Sequence, residues 1–190
     1  MRHSLRLGAI ALFVASAGFL AAARPADARV LSFSKVTVTL NFRPELLAQA
    51  KDLAVGAGLT LPAAVANASP TVNLTGKGSV DTTSRIATIL IDQQVAVTVR
   101  GITVSGKDCS IINTSSSTAL LSCVVQASPL TAARRVPLIK FTGNPASLVM
   151  GGTAAMELPA ELATAVNTLA RRQILTPGLP LGTASGTAKP

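Results

Sequence analysis

The stretch "KVTVTLNF", residues 35–42, alternates Val36, Val38, Leu40 and Phe42 with Lys35, Thr37, Thr39 and Asn41. Successive side chains of an extended backbone point to opposite faces, so a period of two with β-branched residues on both faces specifies a half-buried strand. Similar runs recur at close spacing. Residues 71–80 read as a strand that turns at Gly76 to Gly78, and Ile86 to Ile91 form an almost continuous apolar strand. Val95, Val97 and Val99 alternate with Ala96, Thr98 and Arg100, after which the apolar set moves to Ile102 and Val104, a change of phase that a β-bulge at Gly101 would explain. The segments 109–112 and 119–125 flank "NTSSST". "VPLIKF" (136–141) and "ASLVM" (146–150) complete the set, the first of them an edge strand because Pro137 lacks an N–H.

Two segments carry a helical period instead. In "RPELLAQAKDLAVGAG", Pro44 suits a first turn, Leu46, Leu47, Ala50 and Leu53 form an apolar stripe, and Gly56 and Gly58 stop it. In "ELPAELATAVNTLARRQIL", Leu158, Leu162, Ala165, Val166 and Leu169 fall on one face. Glu157 and Glu161 sit at its positive end and Arg171 and Arg172 near its negative end. The final "TPGLPLGTASGTAKP" shows no apolar periodicity and reads as a flexible tail over 177–190. The expected fold is mainly β: an antiparallel sandwich or barrel with two short peripheral amphipathic helices, the alternative being an α+β sheet with both helices on one face. Strands and helices do not alternate as a doubly wound nucleotide-binding sheet requires.

The N-terminus sets the compartment. Arg2, His3 and Arg6 precede an apolar run from Leu7 to Ala23, and "ADA" follows with small residues at Ala26 and Ala28, which reads as a signal peptide over 1–28 cleaved after Ala28. The chain is then a single β-rich domain over 29–176 plus the tail, periplasmic or secreted, with no later run apolar enough to span a membrane. Removing that segment takes away Arg2, Arg6, Arg24 and Asp27, so 17 basic and 8 acidic residues become 14 and 7. The positive charge is thin except where Arg134 and Arg135 lie near Lys140 and where Arg171 adjoins Arg172. These five residues are candidates for contact with an anionic surface.

Composition removes several chemistries. His3 is the only histidine and leaves with the signal peptide, so triads built on histidine, Cys–His pairs and histidine-containing metal sites are not available to the mature chain. The mature chain keeps Phe33, Phe42 and Phe141 and has neither Trp nor Tyr, which argues against the stacking platforms of single-strand nucleic-acid binders, and nucleic acid is not an expected partner. Ser32 and Lys35 match the S-x-x-K spacing of serine enzymes but sit at the start of a strand, where the lysine cannot return beside the serine as it does on a helix. No catalytic, cofactor-binding or metal site is expected. Glu157 and Glu161, four apart, are the nearest approach to a carboxylate pair, and a carboxylate hydrolase is the remote alternative.

Cys109 and Cys123 are the chain's two cysteines. A thiol needs an activating base and a zinc ion needs four ligands, whereas an exported protein meets an oxidising compartment, so the pair reads as a disulfide. Folding the stretch about Ser116 places Ser110 opposite Ser122, Ile111 opposite Leu121 and Ile112 opposite Leu120, which brings the two sulfurs together on neighbouring strands. The function expected is that of an exported, non-enzymatic envelope protein, a ligand-binding or structural module whose partner is a small apolar ligand or an envelope protein. An adhesin or pilus-like subunit joined through strand edges is the alternative.

Overall fold

A computed structural model describes residues 29–46, 48–49, 52, 69–99, 102–128 and 132–190. The expected signal peptide therefore lies outside the described residues. Among the described residues nine strands follow one another: β1 (Val30–Phe42), β2 (Thr71–Asp81), β3 (Ile86–Ile91), β4 (Val95–Val99), β5 (Ile102–Ser115), β6 (Thr118–Ser128), β7 (Arg134–Gly143), β8 (Thr153–Glu157) and β9 (Pro180–Lys189). A 3₁₀ segment, Pro145–Val149, joins β7 to β8, and helix α1, Ala160–Ala170, lies between β8 and β9. Residues 44–46, 48, 49 and 52 are helical as expected, although Leu47, Ala50 and Leu53 of the proposed stripe lie outside the described residues.

Eight strands close into a ring. Each pairs antiparallel with the next in the order β1, β2, β3, β5, β6, β7, β8 and β9, and β9 returns to β1. The sandwich-or-barrel expectation resolves to a barrel. β4 lies outside the ring and continues the same edge of β5 that β3 occupies further along. Closure of the ring rests on β9, in the region read from sequence as a flexible tail over 177–190: residues 182–189 pair with residues 35–42 of β1, and 180–185 with 153–157 of β8. That reading fails because the alternation of β9 uses small residues. Ala184 and Gly186 point inward and are buried, while Thr183 and Thr187 are exposed, a period of two that a hydrophobicity pattern does not register.

The reason for small inward residues is the 3₁₀ segment. Read as a strand from sequence over 146–150, it instead packs against β2, β3, β8 and β9. Pro145, Ala146, Leu148 and Val149 are buried. The backbone of Leu148 runs so close to Gly186 that a Cβ there would overlap its carbonyl. Val36, Val38, Ile89, Phe141 and Met156 fill the rest of the interior with Leu148 and Val149.

Three further sequence readings are changed or refined for stated physical reasons. The expected turn at Gly76 to Gly78 is the middle of β2; Gly76 is there because β3 approaches it closely at the Leu90 carbonyl, with no room for a side chain. β7 is not an edge strand as a whole, since β8 pairs with its residues 140–143, but β8 does not reach Pro137, which stands on a locally open edge as its missing N–H suggests. Pro137 also sits where the register with β6 shifts between Leu121 and Ser122, and this bulge tolerates its missing N–H. The phase change near Gly101 separates two strands that pair antiparallel with each other, Val99 with Ile102 and Val97 with Val104, and the bulge expected at Gly101 itself falls outside the described residues.

Among the described residues the outward positions of β1 and β2 carry hydroxyl and amide side chains. Thr39 Oγ1 donates to Asn73 Oδ1 at 2.8 Å and Thr71 Oγ1 to Asn41 Oδ1 at 3.1 Å. A lipid-spanning barrel shows the reverse pattern, apolar outside. No described helix is long and apolar enough to cross a membrane.

Candidate functional site

The cysteines form the expected disulfide, buried in the core, with Cα atoms 4.0 Å apart. Ser110 pairs with Ser122, Ile111 with Leu121 and Ile112 with Leu120, the register read from sequence, and Ser115 then pairs with Thr118 around a two-residue turn at 116–117. Beside the bridge the ladder shifts, with Asp108 at a φ of 50°. Arg135 closes this irregularity: its Nη1 donates to Ser110 Oγ and to the Ser122 carbonyl, both at 3.2 Å, and its Nη2 donates to the Asp108 carbonyl at 3.1 Å.

The candidate anionic-contact residues therefore divide. Arg135 is tied to the β5–β6 backbone. Lys140 Nζ donates to Glu157 Oε2 at 3.2 Å, and Thr142 Oγ1 reaches the other oxygen of Glu157 at 3.3 Å. Arg134 is exposed at the start of β7, and Arg171 and Arg172 are exposed at the C-terminal end of α1, where Arg171 adopts the left-handed capping conformation. Glu157 ends β8, so the expectation that it opens a helix and shares a face with Glu161 does not hold. Glu161 alone stands in the first turn of α1. Ser32 and Lys35 both lie, exposed, on β1, and their spacing carries no serine chemistry.

α1 lies against the outside of the barrel; among its described side chains Ala163 is buried and Leu162, Ala165 and Val166 of the expected apolar face are half-buried, with Leu158 and Pro159 tucked in ahead of the helix. The buried position is one that the sequence reading did not place on the apolar face. Two open grooves flank the start of this helix and share Ala160 and Glu161. One, of about 500 Å³, is lined by Thr114, Thr118, Leu120, Lys140, Leu158 and Pro177. The other, of about 590 Å³, is lined by Arg134, Arg135, Val136, Pro137, Thr164 and Ala165. Helix, strands and cationic residues thus meet on one ledge over β6 and β7. The ledge mixes hydroxyls, aliphatic surface and both signs of charge, a lining suited to holding a ligand in orientation. Among the described residues no group of three acidic, cysteine or histidine side chains could hold a metal ion.

Asp81 is the other polar feature with a clear electrostatic signature. At the β2–β3 turn its Oδ1 accepts the Thr83 N–H at 2.8 Å and the Ser84 N–H at 3.2 Å. The Thr83 N–H, and then the hydrogen bonds from Ser84, hold its carboxyl below the ordinary aspartate range.

These features define a filled, closed, eight-stranded antiparallel barrel carrying an external helix, a scaffold whose grooves lie on its outer wall. Its architecture is similar to the crystal structure of the N-terminal domain of HtaA from Corynebacterium glutamicum, with a TM-score of 0.53 over 83% of this chain and 97% of that one. At 12% sequence identity the likeness is one of fold. No family model matches the sequence, and no curated protein matches it significantly.

Proposed function

We propose that the protein is an exported, non-enzymatic binding module of a bacterial envelope, working in the periplasm or outside the cell. The filled barrel is its scaffold and the ledge around α1 is its binding surface. One observation carries the reading: two grooves of about 500 and 590 Å³ share Ala160 and Glu161 on the outside of a barrel whose own interior is packed with side chains. The small apolar ligand expected from sequence is thereby assigned to the outer wall of the barrel. The buried disulfide suits an oxidising compartment and supports export, as does the signal-peptide pattern of residues 1–28. The non-enzymatic reading rests on the loss of His3 with the expected signal peptide and on the engagement of Glu157 by Lys140 and Thr142.

Native mass spectrometry of protein extracted from cells tests this. A co-purifying ligand retained by the parent and lost in Leu120→Glu and Thr164→Arg, two substitutions that obstruct the grooves from outside the core, is the expected result. A ligand held equally by both variants, or repeated spectra of ligand-free protein, contradicts it. Interaction through a strand edge is a second reading with its own support, because among the described residues β4 pairs with β5 alone.

A further inference from the structure

The outer wall of β3 and β5 breaks the polar pattern of its neighbours. Ile86 is 49% exposed, Leu90 57% and Ile112 44%. Thr88 stands between them: it pairs with Ile112 on β5 and with Ser79 on β2, and Ile86 and Leu90 flank it two residues away on the same face. Next to these on β2, Lys77 pairs with Leu90 and Asp81 pairs with Ile86. The face therefore has a cation beside one end of its aliphatic patch and an anion beside the other. Ser79, Thr88, Ile112 and Leu120 form the row between them.

A twofold axis lying in the face along that row exchanges everything above it with everything below. It sets Lys77 opposite Asp81 of a second copy, Leu90 opposite Ile86, and Ile112 opposite itself. We infer that this face is a self-complementary interface and that its occupant is a second copy of this chain, packed wall to wall as two sheets pack in a sandwich. Asp81 accepts the Thr83 and Ser84 N–H groups of its turn through Oδ1, which holds the carboxylate in place at that end of the face.

Self-complementarity favours this occupant over the others. Lys140 is paired with Glu157, whereas Lys77, Arg85 in the β2–β3 turn and Arg135 over Ser110 keep their charge around the patch. An anionic lipid surface would gain from these cations and would still press against the carboxylate of Asp81. An acidic partner would meet Asp81 at the same face. A second copy satisfies both charges at once. A patch confined to a few residues on four neighbouring strands is small for an interface, so the dimer is a weak one that forms at high concentration.

Sedimentation equilibrium of the full-length oxidised protein from micromolar to millimolar concentration tests this. A monomer–dimer equilibrium is expected, with a dissociation constant raised about tenfold or more by Leu90→Lys and by Ile112→Glu, since symmetry places each substitution in the interface twice. Lys77→Glu raises it as well, and adding Asp81→Lys returns it to within about threefold of the parent, because the swapped pair meets across the axis again. Thermal melting of each variant confirms an intact fold, and the Leu90 and Ile112 variants carry the test if Asp81→Lys loosens its turn. Protein that stays monomeric throughout, or dimers indifferent to Leu90→Lys, overturn the inference. So does a monomer that binds vesicles of anionic phospholipid through Leu90.

Discussion

The backbone of Gly186 on β9 lies against the carbonyl of Leu148 in the 3₁₀ segment, leaving no room for a side chain between the barrel wall and its internal plug. This contact ties together the two elements that sequence periodicity misread, and it makes β9 a wall of the core. Substituting Gly186 by Val should therefore cost about 2 kcal/mol or more, since neither strand nor plug can retreat without opening a neighbouring ladder. Thr187→Val, one residue on and facing solvent, should change stability by less than about 0.5 kcal/mol. Denaturant unfolding of the two variants checks the contrast.

Leu148 fills the interior from the other side and is fully buried. Leu148→Ala should lower stability by about 2–5 kcal/mol, the range for deleting a core leucine in a site that cannot collapse. Met150, at the exposed end of the same connection, should tolerate alanine with a change of less than about 0.5 kcal/mol. Chemical denaturation again provides the measurement.

The Cys109–Cys123 bridge closes a short hairpin loop and should contribute about 3 kcal/mol by restricting the unfolded chain. Replacing both cysteines by alanine should lower the melting temperature under oxidising conditions, and adding reductant should remove most of the difference from the parent. Equal melting of the two proteins without reductant would show that the bridge does not constrain the unfolded state.

Asp81 gives the fold a pH dependence of known sign. Its folded-state pKa is depressed by the turn N–H groups, so its contribution is fully present above the ordinary aspartate value and is lost as pH falls through the lower, folded-state value. The parent should exceed Asp81→Asn in stability at neutral pH, and the two curves should converge in strong acid. Melting temperatures measured across that range follow the convergence.

Arg134 and Arg135 are adjacent in sequence and separate in role. Removing Arg135 leaves the carbonyls of Asp108 and Ser122 and the hydroxyl of Ser110 without its guanidinium, and Arg135→Ala should cost about 1 kcal/mol. Arg134→Ala should leave stability unchanged within about 0.5 kcal/mol. If an anionic ligand uses this ledge, Arg134→Ala should weaken binding without lowering the melting point.

What was legible in the sequence is what hydrophobicity reports. Val36, Val38 and Leu40 alternate visibly, so β1 follows as a strand, and Ile111, Ile112, Leu120 and Leu121 flank a polar turn, so the β5–β6 hairpin follows down to its register. β9 uses Ala184 and Gly186 where other strands use Val, because the plug occupies the space a larger residue would fill. Its alternation is one of size. Residues 146–150 have the apolar content of a strand, and only the ring's closure shows that Ala146, Leu148 and Val149 are buried in its core. The ledge was legible in part: Arg134, Arg135 and Lys140 stood out as charge. Leu120, Pro159 and Thr164 carry no pattern of their own and meet only once α1 folds back over β7. Ile86 and Leu90 did leave a signal, since a run that is apolar on both faces marks a strand with something to cover on its outer side.

Amide hydrogen exchange of residues 182–188 tests the account most directly, because closure of the barrel, the filled interior and the placement of binding on the outer wall all require β9 between β1 and β8. The account predicts that the amides of β9 donating into the ladders with β1 and β8 exchange as slowly as those of β1 between Val36 and Leu40. Exchange of residues 182–188 at the rate of an unstructured peptide, with β1 still protected, would contradict it.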